Sequence, residues 1–502
     1  MTETIFATHA GLVSEPNGTL GEETRKHLKE IKQRTKCILI TSTLEDALNE
    51  AYDVCLPEVF SCFCIYLNYG SELPDKLRER AQRECVSFYK LPYDSIHLLA
   101  AFHELQKGPL PSELQRALNE FDPLREAYVC VPFSTGICCE DTLLDRTRLK
   151  WFNYCGEGKN HFWIEDKVEV VKVFAQFSPS LRDVYFTHRA PLSMDICKNI
   201  FATQESIASD GVVLCTESKV HEGGLGRGNS HLSTPEGLHM ASLQFDEGTV
   251  VRAMPYVSGV SMELTCIVSE HRVHVLRPIP AIYIIEKSNV IGTFHCLGAD
   301  YRWHARQDID QELRGYALKI CEVLQKLSFV GVCNINGVFN AEANTMRFVP
   351  TEINARPPRH FKHWKWLFVI DCILKNNLVT LEQEEALCRA FLADDMAVCG
   401  TKLIPFDSFE SRYFLGYPLR ETYYFIFTDD MKVKFCSSAQ PYHMVARQTW
   451  FRLDFFASCT SNPALVTALL PAVLQLLSDH LCMNKKIKYC RAAEKIVDMS
   501  RA

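Results

Sequence analysis

The chain has 502 residues, more than one hydrophobic core usually supports, so roughly two to four structural units are expected. Hydrophobic residues make up 47% and charged residues 23%, the balance of a globular protein, which excludes a disordered or fibrous polymer. A net charge of -7 lacks the basic excess that a phosphate backbone attracts, which argues against nucleic acid as a partner. The N-terminal stretch MTETIFATHAGLVSEPNG has neither the cationic start nor the continuous apolar run of a secretory signal. The apolar run ALVTALLPAVLQLL is too short for a bilayer and is broken by Pro471. A soluble, cytoplasmic protein with no membrane partner is the expectation. The 22 cysteines show no paired CxxC set at zinc spacing, so free, mostly buried thiols in a reducing compartment are expected.

In chain order, KCILITS (36–42), VFSCFCIYLNYG (59–70) and AYVCVPFSTG (127–136) are short, β-rich and closed by turn residues. Helical patterns lie between them, EETRKHLKEIKQ and SELPDKLRERAQREC among them, and this alternation predicts an open α/β sheet. No GxGxxG occurs, so no dinucleotide fingerprint is present. The polar stretch NYCGEGKNH (153–161) marks a boundary. In IEDKVEVVKVFAQF, Val168, Val171, Phe174 and Phe177 fit one helix face, with Asp166 near its N-terminus and Lys167 in its first turn. From Gly211 to Val275 the pattern turns to strands, GVVLCTES, TVVRAMPYV and SMELTCIV, and after VHVLRPIPAIYII a helix DQELRGYALKICEVLQKLSF is expected. The strands VGVCNINGVF and TMRFVPTEINA then pair across NAEAN, followed by helices, the β stretch RETYYFIFTDDMKVKFC and a final helical region. No internal repeat at a fixed period is present.

The stretch SKVHEGGLGRGNSHL (218–232) raises the question of what it holds. Its glycines allow a close backbone approach to an anion, with amides converging on phosphate oxygens; a plain glycine-rich hairpin is the competing reading. No GK[ST] follows, which excludes a Walker A loop. Lys219, four residues before Gly223, puts an ammonium on the strand side of the loop. Glu352 and Asn354 alternate along one strand end, so their oxygens face the same side and suit a hard cation such as Mg2+; a solvated strand edge is the alternative.

Taken together, EDK with Lys167, Lys219 with GGLGRG, AMPYV, and GVCNINGVF followed by TEINARP resemble, in order and spacing, the ATP-grasp carboxylate–amine ligases over about Asp166 to Pro357. The branch with a pre-ATP-grasp first domain is the most similar, and the tail from Lys432 to Val466 resembles the C-terminal domain of pheganomycin-type peptide ligases. The implied fold class is α/β and α+β: a Rossmann-like pre-ATP-grasp domain over 1–160, a two-lobed ATP-grasp domain over 161–370 with its lid lobe at about 190–253, and an α+β region over 371–502.

The resemblance implies ATP and Mg2+ as cofactors and small carboxylate and amine substrates, amino acids or peptides, with a homodimer compatible with the family. Lys167 and Lys219 become phosphate-contacting lysines, and Gly223, Gly224, Gly226, Arg227 and Gly228 the lid. Ala253 to Val257 becomes the hinge that reads adenine, Met254 and Tyr256 also being candidates to pack on the ring or to be plain core residues. Glu263 becomes an acid near the nucleotide, Asn336, Glu352 and Asn354 magnesium ligands, and Arg356 an active-site arginine. Arg277 and Arg302 are candidate carboxylate anchors, a surface arginine being the alternative for each. One departure stands out: Asn336 occupies a position where the family carries an acid, which lowers the affinity for a second Mg2+. Three readings follow: a ligase that passes a carboxylate through an acyl phosphate to an amine, an ATP-binding regulatory or scaffold protein without ligation, and an enzyme that activates a carboxylate with ATP but transfers the acyl group to an acceptor other than a free amine.

Overall fold

The computed structural model describes residues 22–41, 60–66, 87–90, 111–130, 150–151, 162–178, 180–181, 184–205, 211–216, 229–287, 291–300, 303, 305–341, 343, 347–358, 367–397, 402–404, 422–427, 433–436, 443–449, 452–458 and 499. The N-terminal unit contains α1 (Glu22–Arg34), β1 (Lys36–Thr41), β2 (Ser61–Tyr66), β3 (Ser87–Lys90), α2 (Ser112–Phe121), β4 (Tyr128–Cys130) and β5 (Lys150–Trp151). The five strands pair in parallel in the order β3-β2-β1-β4-β5, the order of a doubly wound sheet. Consecutive residues Cys37 and Ile38, and Cys62 and Phe63, are buried, as expected of parallel strands covered on both faces. The three expected strands are observed over Lys36–Thr41, Ser61–Tyr66 and Tyr128–Cys130, the C-terminal ends of their apolar runs lying outside the described residues. Strands β3 and β5, four and two residues long, are too short to leave a pattern. The expected helix SELPDKLRERAQREC lies outside the described residues.

Next come α3 (Phe162–Glu165), α4 (Val171–Phe177), β6 (Phe186–Arg189), α5 (Met194–Glu205), β7 (Val212–Thr216), β8 (Asn229–Leu232), α6 (Pro235–Ser242) and β9 (Val250–Pro255). The single helix expected over IEDKVEVVKVFAQF is broken. Asp166 Oδ1 accepts the N–H groups of Val168 and Glu169 at 2.8 and 3.0 Å, closing a turn that ends α3 before α4 begins. Lys167 is therefore a turn residue, not part of a helical first turn. Strands β6, β9, β7 and β8 form an antiparallel lobe. On one of its faces Val212, Leu214, Val251 and Ala253 pack with Leu192, Cys197, Ile200, Leu238 and Ala241 from the α5 and α6 region. Helix α6 starts on the Thr234 side chain, which accepts from Gly237 N–H at 3.1 Å, with Pro235 at a first-turn position.

Then follow β10 (Val260–Val268), β11 (Val273–Val275), β12 (Ile279–Lys287), β13 (Ile291–Asp300), α7 (Gln307–Lys326), β14 (Gly331–Phe339), β15 (Phe348–Asn354), α8 (Leu367–Lys375) and α9 (Leu381–Ala397). Strands β16 (Lys402–Ile404), β17 (Thr422–Phe427), β18 (Val433–Cys436), β19 (His443–Thr449) and β20 (Arg452–Ser458) complete the described elements. A path β15-β14-β10-β12-β13-β16-β20-β19-β17-β18 runs through them, and β8 joins it by pairing with β13. Alternate residues Met262, Leu264 and Cys266 of β10 and Cys333 and Ile335 of β14 are buried in one core with Ile309, Leu313, Ala317, Ile320, Cys321 and Leu324 of α7. The opposite alternation, Glu263, Thr265, Asn334 and Asn336, is left for the other face. This is α/β followed by α+β, the class expected. The nine described free cysteines are all buried, also as expected. The final helical region lies outside the described residues. No helix among those described is long and apolar enough to cross a membrane.

Candidate functional site

Two rows of polar side chains cross three adjacent antiparallel strands. Register places Glu263, Asn336 and Glu352 side by side, and Thr265, Asn334 and Asn354 in the next row but one along the strands. Directly paired residues share a face, so all six stand on the face turned away from α7. A bulge between Asn336 and Gly337 brings Gly337 opposite Pro350. Gly337 is required there, since a Cβ would meet the Phe348 ring at 2.4 Å.

These groups form one connected network. Thr265 Oγ1 donates to Asn334 Oδ1 at 3.1 Å, Asn334 Nδ2 to Asn336 Oδ1 at 2.9 Å, and Asn336 Nδ2 to Glu352 Oε1 at 2.7 Å. Asn354 Nδ2 approaches the same carboxylate oxygen at 3.4 Å. Lys167 Nζ stands 3.8 Å from Glu352 Oε2 and donates to Asn229 Oδ1 of β8 at 3.4 Å. The turn made by Asp166 thus carries an ammonium to the polar sheet face. Burial alone would raise the Glu352 carboxyl, but the Lys167 charge, the two amide donors and Arg356 outweigh it and hold the group below the usual carboxylate range. Arg356 Nη2 donates to Asn354 Oδ1 at 3.0 Å while its Nε lies 3.6 Å from Glu165 Oε1 of α3.

Helix α8 braces this face from behind. Asp371 Oδ1 accepts Val332 N–H at 2.7 Å at the start of β14, and Lys375 Nζ donates to Asp371 Oδ2 at 2.9 Å and to Ala355 O at 3.0 Å just past β15. One buried ion pair therefore ties together β14 and β15, two of the three strands that carry the polar rows.

The segment expected to be a hinge leaves β9 for β10. Val212 pairs with Pro255 and Val213 with Met254, and Tyr256 N–H donates to Gly211 O at 2.8 Å. Met254 is buried in the same core as α7, with Val213 and Val257 packed against that core. The Tyr256 ring meets His231 edge-on at 4.7 Å. Of the other expected residues, Lys219, Gly223, Gly224, Gly226, Arg227, Gly228 and Arg302 lie outside the described residues. The strands on either side of that loop pair as a hairpin, Cys215 opposite Asn229. Arg277 is buried at 5% exposure, which overturns the surface alternative for it. The residues the structure brings together are Lys167, Glu263, Asn336, Glu352, Asn354 and Arg356. Sequence reasoning missed Glu165, Thr265, Asn334 and Arg252; the signals were an asparagine two positions before Asn336 and an arginine inside the apolar strand VVRAMP.

No protein-family model matches the chain, and no curated protein matches it. Among solved structures, it is similar to the biotin carboxylase domain of a Hydrogenobacter thermophilus 2-oxoglutarate carboxylase in complex with MgADP, ADP and bicarbonate, at 11% identity and TM-score 0.47, over 93% of this chain and 99% of that one. A Campylobacter jejuni biotin carboxylase in complex with a β,γ-ATP compound matches at 11% identity and TM-score 0.47, over 92% and 94%. An N5-carboxyaminoimidazole synthetase from Staphylococcus aureus complexed with ADP matches at 13% identity and TM-score 0.40, over 68% and 76%.

Proposed function

We propose that this chain is an ATP-dependent carboxylate–amine ligase of the ATP-grasp type. The observation that carries the reading is the Glu263–Asn336–Glu352 row, with Lys167 tying Glu352 to the β7/β8 hairpin. In this reading residues 1–160 form the pre-ATP-grasp domain, 161–370 the nucleotide-binding and catalytic domain, and 371–502 the C-terminal domain. The pheganomycin-type likeness favours an amino acid or peptide as substrate, in the cytoplasm and with a homodimer compatible.

In this reading adenine lies by Val213, Met254 and Val257. Pro255 has no N–H and the Tyr256 N–H is engaged, which leaves the Val257 N–H as the hinge donor for the base. Lys167, with Lys219 and the 223–228 loop, holds the phosphates. Glu352, Asn336 and Asn354, beside Glu263, stand on one face and would supply a hard-oxygen set for one Mg2+, the Asn336 and Asn354 oxygens exchanging their bonds from Asn334 and Arg356 for the ion. Bound there, the ion neutralises phosphate charge. Phosphoryl transfer is chiefly positioning and charge stabilisation, so no protein nucleophile is needed. A substrate carboxylate takes the γ-phosphoryl group, giving an acyl phosphate and ADP, and an amine then displaces phosphate. Arg356 steadies the charge that develops, and Arg277 and Arg302 are the candidate carboxylate anchors.

A second reading, nucleotide binding without ligation, is favoured by Asn336. Its amide donates to Glu352 and its oxygen accepts from Asn334, so the row carries one charge fewer than three acids would supply. The two separate in an assay of ADP and phosphate release with a panel of amino acids, peptides and other carboxylates. The ligase reading expects release stimulated by one carboxylate–amine pair and lost in Glu352→Ala and Lys167→Ala, with an amide of the combined mass. ATP binding without turnover across the panel supports the regulatory reading, and full turnover in both variants contradicts the site.

A further inference from the structure

Arg252 sits in the middle of β9 at 3% exposure, opposite Thr187 of β6 and Cys215 of β7. Its strand neighbours Val251 and Ala253 face the α5 and α6 core, so Arg252 faces the other way, with Met254, toward the β15 side. Its Nε donates to Cys215 Sγ at 3.2 Å and its Nη2 to Thr351 O of β15 at 2.8 Å, and the guanidinium lies over the Tyr185 ring at 5.4 Å from the centroid. The Tyr185 hydroxyl is turned away, donating to Pro350 O at 2.5 Å. Among the described residues, buried Nη1 has no hydrogen-bond partner and no carboxylate pairs with the charge. A buried cation in this state is costly unless an anion meets it.

Its neighbours link it to the Glu352 row. Arg252 reaches Thr351, the next residue is Glu352, Glu352 meets Lys167, Lys167 meets Asn229, and Asn229 pairs with Cys215, which returns to Arg252. This ring joins the β7/β9 lobe to the β14/β15 sheet and carries two cations, Lys167 and Arg252, against one carboxylate. Met254 and Val213, one pleat toward the hinge, are the apolar end of the same surface.

Resting on the nucleotide reading above, we propose that Arg252 is a further phosphate-binding cation of that site, its Nη1 donating to a non-bridging oxygen of the nucleoside polyphosphate opposite Lys167. The side chain is held by three contacts before ligand arrives, so little conformational entropy remains to be lost on binding. The neutral sulfur of Cys215 and the carbonyl of Thr351 orient the guanidinium without cancelling its charge.

The test compares ATP and adenosine binding by calorimetry in wild type, Arg252→Met and Arg252→Lys, with thermal melts to confirm folding. A charge-assisted hydrogen bond to phosphate predicts that Arg252→Met loses about ten- to a hundredfold in ATP affinity, with Arg252→Lys between it and wild type and adenosine affinity unchanged within about twofold. Arg252→Lys keeps the test open should Arg252→Met fail to fold. ATP affinity equal to wild type in both variants, or ATP and adenosine affinities falling in parallel, would overturn the proposal, the latter because it marks Arg252 as only a brace between the sheets. A wild type that binds no ATP overturns the nucleotide reading itself, and this proposal with it.

Discussion

Glu352 is the residue on which most of the site converges, meeting Lys167, Asn336 and Asn354 at once. Its folded carboxyl is held below the usual range, so its stabilising contribution is complete above the unfolded value, about 4.3, and is lost as pH falls through the depressed folded value. Melting temperature measured against pH should therefore show wild type above Glu352→Gln at neutral pH, with the gap closing in acid. A gap constant with pH would mean that the carboxylate charge does not contribute. Gly331 tests a different residue-scale constraint: its φ is +127°, and a Cβ would meet Asp371 Oδ1 at 2.5 Å and Lys375 Cε at 2.6 Å. Gly331→Ala should cost on the order of 2 kcal/mol in a denaturant melt, from backbone strain and displacement of the ion pair. Glu352 and Asn354 were legible in the sequence because strand alternation alone places them on one side. Arg252 was not, because one arginine within an apolar strand carries no sign of whether it snorkels to solvent or is sealed between two sheets.

At the scale of elements, α8 is a brace whose strength resides in two residues. Asp371 and Lys375 are 2% and 3% exposed and 2.9 Å apart, so removing one takes its counter-charge from a buried group. Lys375→Met or Asp371→Leu alone should destabilise by about 3–5 kcal/mol, whereas the double variant should recover much of the loss. Chemical denaturation of the three variants checks this, and additive losses would show that the two residues act separately. The strands that flank the polar face were readable from β-branched runs and their turns, and α7 from its helical period. The break at Asp166 was hidden because apolar spacing from Val168 to Phe177 fits a helix, while a side-chain oxygen capturing two amides is a three-dimensional event. The Asn334–Asn336 link was also beyond the sequence, since it depends on the register of β14 against β10 and β15.

For the molecule as a whole, the parallel N-terminal sheet, the β6–β9 lobe and the long antiparallel sheet follow the order in which their patterns occur in the chain. Joining β8 to β13, and β16 to both β13 and β20, needs pairings between residues far apart in sequence, which periodicity does not encode. The same holds for the proposed nucleotide site, whose residues come from β7, β9, the turn at Lys167 and the β14/β15 pair. Calorimetric titration of the full chain with ATP, with and without Mg2+, tests most directly the claim that these residues form a nucleotide site. The account predicts saturable binding of one ATP per chain, weakened by about tenfold or more without Mg2+ and in Glu352→Ala. A folded wild-type chain that shows no saturable ATP binding in the presence of Mg2+ would contradict it.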